Sequence, residues 1–189
     1  MADRLYLSYM LNGFSGMNML RHYEKLLRLF PYSRLMLGAS VFKIIPIAYS
    51  EPARIEESYA MPEGIEPMLA TAKEFLNSDS CYRLETWWDL WQYEAGEWKL
   101  TPARAALVCY GPEFQDAEGN LEIEFGIENL FLPQAGLPNN INMAQSNIKS
   151  LLKLVHDADD ALSVKQRRLW SEGGENFAER VQLALREAG

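Results

Sequence analysis

Between Cys81 and Tyr110 the sequence alternates with a period of two residues, broken once at Glu94-Ala95-Gly96-Glu97. Successive side chains of a strand point to opposite faces, so this pattern specifies two long strands folded back as an antiparallel hairpin. On the first strand Tyr82, Leu84, Thr86, Trp88 and Leu90 share one face, and Arg83, Glu85, Trp87, Asp89, Trp91 and Tyr93 the other. The first set is the more apolar, which assigns Trp88 and Leu90 to a core. A lone hairpin is marginal in water, so the rest of the chain must supply more strands and something to cover that apolar face.

Candidates for both are present. Arg4 to Leu11 reads as a first strand, with a turn at Asn12-Gly13. Ser15 is a candidate N-cap for a helix to Phe30, stopped by Pro31, whose Met19, Leu20, Tyr23, Leu26, Leu27 and Phe30 fall on one arc. Leu35 to Ala48 reads as a long strand, with Pro46 favouring an edge or a bulge near its end. Arg54 to Tyr59 reads as a short strand, Ile65 to Leu76 as a helix, and Leu121 to Ile127 as another strand. Ile141 to Leu162 carries a helical stripe containing one misfit, Asn147, inside the apolar arc. A polar stretch, Ser163 to Gly174, separates it from a last helix, Glu175 to Glu187, with Phe177, Val181 and Leu185 four apart.

The expected class is α+β: an antiparallel sheet with helices on one face and a helical C-terminal region. Residues 1–132 form the sheet part and residues 133–189 a helical part on the same core, a single domain overall. Through residue 86 the order strand, helix, strand, strand, helix, strand resembles a ferredoxin-like split βαβ unit. Element order licenses no function, since one fold serves many.

The chain has 18 basic and 26 acidic side chains, a formal charge of −8. The surplus is local, with four basic against 14 acidic residues over 61–132. An acidic surface repels phosphate backbones, so a nucleic-acid partner is not expected. Two cysteines and two histidines are too few for zinc clusters, and no metal or other cofactor is expected. No stretch approaches the roughly 20 apolar residues of a spanning helix, so no membrane partner is expected and the cytoplasm is the default location. Walker A, G-x-G-x-x-G, G-x-S-x-G and H-E-x-x-H motifs are absent from the sequence.

Four of the five tryptophans lie between Trp87 and Trp98. The mixed face of the first strand, Arg83, Glu85, Trp87, Asp89 and Trp91, is the candidate ligand-binding surface: indoles to stack a flat or sugar-like ligand, charges to orient it. Structural packing of those aromatics is the competing reading. Glu122 and Glu124, alternating with Leu121, Ile123 and Phe125, are candidates for a surface that meets a basic partner; a solvated strand face, or a cation site with Asp116, are the alternatives. His22, at the edge of its helix's apolar arc, reads as a packing residue before a base. His156 and Asp160 read as a solvated helix face. Cys81 and Cys109 oppose one another only if the hairpin loop has an odd number of residues; an even loop sets Cys81 opposite Tyr110. The leading functional expectation is a non-catalytic binding or protein-interaction module, with self-association or a small-molecule ligand as options. The alternative is a small-molecule enzyme using Glu85 or Asp89 as acid or base, with His22 as an outsider.

Overall fold

A computed structural model describes residues 3–173 and 176–187. The hairpin that dominates the sequence is the spine of the fold: β4 (Ser80–Glu94) and β5 (Glu97–Tyr110) pair antiparallel from Glu94 opposite Glu97 to Cys81 opposite Tyr110. The turn between them has two residues, Ala95 and Gly96, both at positive φ (51° and 90°), the twist that closes a tight hairpin. An even turn resolves the register, so the two cysteines do not face each other. Cys109 lies among the core side chains and Cys81 on the opposite face, both reduced and buried.

Around this spine stand β1 (Arg4–Leu11), β2 (Ser40–Pro46), β3 (Ile55–Tyr59), β6 (Leu121–Ile127) and β7 (Val164–Ser171), in one seven-stranded antiparallel sheet ordered β3-β2-β4-β5-β6-β1-β7. The α-helices among the described residues are α1 (Met19–Leu29), α2 (Ile65–Glu74), α3 (Asn140–Ala161) and α4 (Phe177–Glu187). One hydrophobic cluster joins buried residues of the sheet to residues of these helices. Leu7, Phe42, Leu84, Trp88, Leu107 and Ile123 meet Tyr23 and Leu26 of α1, Met68 of α2, Leu154 of α3 and Phe177 of α4. Trp88 is the largest of these and contacts Phe30, Phe125 and Phe131 at ring-centre distances of 6.0, 5.3 and 5.9 Å. Burying each such side chain contributes about 1.5–3 kcal/mol, which is why the period-two pattern governs the sheet.

The strand and helix order of β1 to β4 is the expected one, but it extends to no ferredoxin-like arrangement in space. β5 and β6 occupy the side of β4 away from β2, so β1 pairs with β6 and β7 and is separated from β4 by two strands. The connection through α2 crosses one strand, β2, whereas that through α1 crosses three.

Four local expectations also change. The first helix begins at Met19, not after Ser15, because Asn18 folds the preceding turn: its Oδ1 accepts from the Ser15 amide and its Nδ2 donates to the Gly13 carbonyl, each at 2.8 Å. Residues 35–39 are a loop, not strand: Asp89 accepts from the Ser33 hydroxyl and, at 2.9 Å, from the Arg34 amide, while Ser33 Oγ accepts from the amides of Leu35 and Met36. β2 is interior, and Pro46 is its last residue. Finally, the polar stretch after residue 162 is the edge strand β7, so the region beyond residue 132 contributes to the sheet as well as two helices. The expected helix start at Glu175, the residue Gly174 and the Leu185 side chain lie outside the described residues. Phe177 packs in the core and Val181 against it. Arg180 grips the buried Glu128 through two contacts, Nη2 to Oε1 at 2.5 Å and Nη1 to Oε2 at 3.0 Å.

Candidate functional site on the open face of the sheet

The side of the sheet opposite the main core carries the odd-numbered residues of β4 and the even-numbered residues of β5, β6 and β1. Three zones divide it.

The middle zone is a charge ladder. Lys43 on β2 reaches Glu85 on β4 (3.2 Å), Arg83 bonds both Glu85 (3.3 Å) and Glu124 on β6 (2.8 Å), and Glu124 also takes Arg4 of β1 (2.8 Å). The span from β4 to β6 is open because β5 presents only Ala106 and Val108 between them. Burial opposes the charge on Arg83, but Glu124 beside it more than restores it, and its pKa is raised. Glu85 sits below the ordinary carboxylate range: burial pushes it up, and the hydrogen bonds and charges of Lys43 and Arg83 outweigh that.

The second zone is a hydrogen-bonded chain. Cys81 Sγ contacts Tyr49 Oη (3.7 Å), Tyr49 donates to Tyr110 Oη (2.9 Å), and Tyr110 donates to Glu122 Oε1 (3.0 Å). Ser8 donates to Glu122 Oε2 (2.6 Å) and accepts from Trp170 Nε1 (2.9 Å). Burial raises the Glu122 pKa against the lowering effect of those two donors. Phe114 covers a small apolar cluster of Ile45, Cys81, Ala106, Val108 and Tyr110, and burial pushes the Cys81 thiol up to about 12. Glu122 and Glu124 share one face as expected, yet neither is a freely solvated carboxylate. Asp116 does not join them; it accepts from the Tyr49 amide at 2.7 Å. Among the described residues no group of three or more His, Cys, Asp or Glu side chains is placed to hold a metal.

The third zone is an arm. Register pairs between β2 and β4 end at Val41 opposite Glu85, and those between β5 and β6 at Ala106 opposite Glu124, so the hairpin continues as a two-stranded projection. On its open side the cross-strand pairs are Trp87 with Arg104, Asp89 with Pro102, Trp91 with Leu100, and Tyr93 with Trp98. The Arg104 guanidinium lies 5.2 Å from the Trp87 ring centre, and Tyr93 meets Trp98 edge-on at 5.3 Å. Trp87, Trp91, Tyr93 and Trp98 are half-buried, and Leu100 is 42% exposed.

Two clamps hold the unpaired edge of the arm. The Ser33 amide donates to the Trp87 carbonyl (2.8 Å). Asn147 of α3 accepts from the Trp91 amide (2.9 Å) and donates to the carbonyls of Trp91 (2.9 Å) and Leu130 (2.6 Å). The misfit in the helical stripe thus takes the place of a missing strand, pairing both backbone groups of one β4 residue.

Of the five ligand candidates, Trp87 and Trp91 share the aromatic strip of the arm, Arg83 and Glu85 belong to the ladder, and the Asp89 carboxylate fastens the loop after Pro31. His22 is buried at 6% exposure beside Phe14, and neither ring nitrogen has a hydrogen-bond partner among the described residues; burial first, then Lys25 and Arg21, lowers its pKa. His156 and Asp160 form an exposed pair at 3.4 Å along α3. Leu100 and Pro102 are strip residues that strand-by-strand reading misses, because they become its neighbours only once the hairpin register is known. No helix among the described residues is long and apolar enough to cross a membrane. No family model matches the chain, and no curated protein or solved structure matches it either.

Proposed function

We propose that this chain is a non-catalytic binding module whose contact surface is the open side of the β4–β5 arm. The observation that carries the reading is the pairing of Trp91 with Leu100 and of Trp87 with Arg104 on a projecting hairpin whose edge is clamped. Aromatic side chains offer large contact area at small conformational cost and are enriched where partners dock. The clamps hold the strip in place before any partner arrives, which lowers the ordering cost of association.

Binding is favoured over acid–base catalysis by the state of the nearby carboxylates. Glu85 is paired with two cations and held below its ordinary pKa, unlike a proton donor working near neutrality. Asp89 engages the adjoining loop through both oxygens. Glu122 and Glu124 are tied to Ser8, Tyr110, Arg4 and Arg83, so an acidic docking patch is a weaker support than the arm.

The test compares the parent with Trp91→Ala and Arg104→Ala in co-purification and in light scattering across protein concentration. The half-exposed positions predict retained folding, checked by circular dichroism. Loss of a specific partner, or of self-association, in Trp91→Ala supports the reading. Unchanged association in both variants removes it.

A further inference from the structure

The pair β1–β7 builds a concavity of its own at the far end of the open face. Gln166, Arg168 and Trp170 of β7 stand opposite Met10, Ser8 and Tyr6 of β1. All of these but Tyr6, with Tyr9, Arg167 and the turn at Glu118 and Gly119, line an open-sided cleft of about 160 Å³. Typical pockets for drug-sized ligands hold roughly 300–1,000 Å³, so this one suits a much smaller molecule.

Its chemistry is specific. The Trp170 indole stacks on Tyr6 with ring centres 4.5 Å apart and planes 17° apart, fixing one wall. The Ser8 hydroxyl gives its proton to Glu122 and takes one from Trp170, so it offers the cleft a single remaining lone pair, an acceptor only. The Arg168 guanidinium lies 5.3 Å from the Trp170 ring centre, and among the described residues no carboxylate pairs with it. Glu118 likewise has no cationic partner among them, and no ion pair joins the two across the cleft. Arg167, the other cation of the lining, is paired with Asp159, so among the described residues one unpaired cation, Arg168, and one unpaired anion, Glu118, border the same small space.

We propose that this cleft binds a small zwitterion, a molecule of free α-amino acid size carrying both an ammonium and a carboxylate. The carboxylate meets Arg168 and the Gln166 amide, the ammonium meets Glu118 and the Ser8 lone pair, and the remainder rests on Trp170 and Met10. A simple anion would meet Glu118 and, behind Ser8, Glu122; a simple cation would meet Arg168. Only a ligand with both charges answers both walls. The site is separate from the aromatic arm, and its test does not depend on that reading.

Calorimetry and ligand-observed NMR with the standard free L-amino acids test it, each compared with the acid lacking its amine and the amine lacking its carboxylate. At least one amino acid should bind at one site per chain, with its two half-molecules about tenfold or more weaker. Arg168→Gln and Glu118→Gln, both at exposed positions, should each weaken it about tenfold or more at unchanged melting temperature. Trp91→Ala should leave it unaltered. The proposal is overturned if no amino acid binds the parent, if a half-molecule binds as tightly, or if both charge variants bind like the parent.

Discussion

Replacing Asn147 with alanine measures how much of the arm's order comes from one side-chain amide. Asn147 is 2% exposed and makes three hydrogen bonds to backbone, two to Trp91 and one to Leu130. Each contributes about 1 kcal/mol net, and a buried partner left unpaired costs about 1–3 kcal/mol. The Trp91 groups lie at a sheet edge where water can partly replace the amide, so the expected loss is about 3 kcal/mol rather than the sum of full penalties. For a chain of this length that is a fall in melting temperature of roughly 6–12 °C. Urea unfolding followed by circular dichroism reads the loss, and hydrogen exchange at the Trp91 amide shows whether the arm's edge opens first.

Asn147→Asp sharpens the test. Aspartate keeps an acceptor for the Trp91 amide but turns a carboxylate toward the carbonyls of Trp91 and Leu130. Burial beside those carbonyls raises its folded-state pKa above the unfolded value of about 3.9. The penalty should therefore grow as pH rises from the unfolded-state value through the folded-state pKa and shrink on acidification, where the protonated carboxyl of the variant can donate to one carbonyl. An alanine variant within about 0.5 kcal/mol of the parent, the range of an ordinary surface change, would refute the strand-substitute account. So would an aspartate variant whose deficit ignores pH.

Two other expectations are accessible to stability measurements. Glu128→Gln leaves Arg180 facing a neutral amide at a buried position, and with Arg180 still partly exposed the cost should be about 2 kcal/mol, below the 3–5 kcal/mol of a fully buried pair; limited proteolysis should then cut α4 before the sheet, and equal protection of α4 in parent and variant would contradict the anchoring role. His22 has its pKa lowered by burial, so its neutral form is the one the fold accommodates. As pH falls below about 6.5 the unfolded chain gains a proton that the folded chain resists, and stability drops until the folded-state pKa is reached. His22→Leu should flatten the stability profile between about pH 7 and 5.5; a parallel profile would show that other groups titrate there.

Legibility in the sequence follows burial. β1 and β6 fall within the expected limits because their alternate residues are wholly buried, Leu5, Leu7 and Tyr9 on one and Leu121, Ile123 and Phe125 on the other. β7 is hidden for the converse reason: Lys165, Gln166, Arg167 and Arg168 line an exposed edge, where charge protects a strand from unwanted pairing and erases its alternation. Leu35 and Leu37 mislead in the other direction, an apolar run that stands in solvent, Leu37 at 98% exposure, because Asp89 folds it into a turn. Asn147 stands out as a misfit by its position alone, while its partners belong to other segments of the chain and carry no local signal. The split of the open face into ladder, chain and arm depends on which strands end where, a tertiary fact that composition does not encode.

The place of β1 sets a schedule for making this protein. Leu7 lies between Ile123 on one side and Leu169 on the other. During synthesis β1 therefore leaves the ribosome long before either neighbour exists, with Leu5, Leu7 and Tyr9 uncovered while the more than 100 residues up to β6 are still being translated. Such long-range pairings slow folding and leave an apolar ribbon exposed to aggregation meanwhile. A nascent chain stalled before residue 121 should accordingly engage chaperones strongly, and release them only after β6 and then β7 have emerged to enclose it.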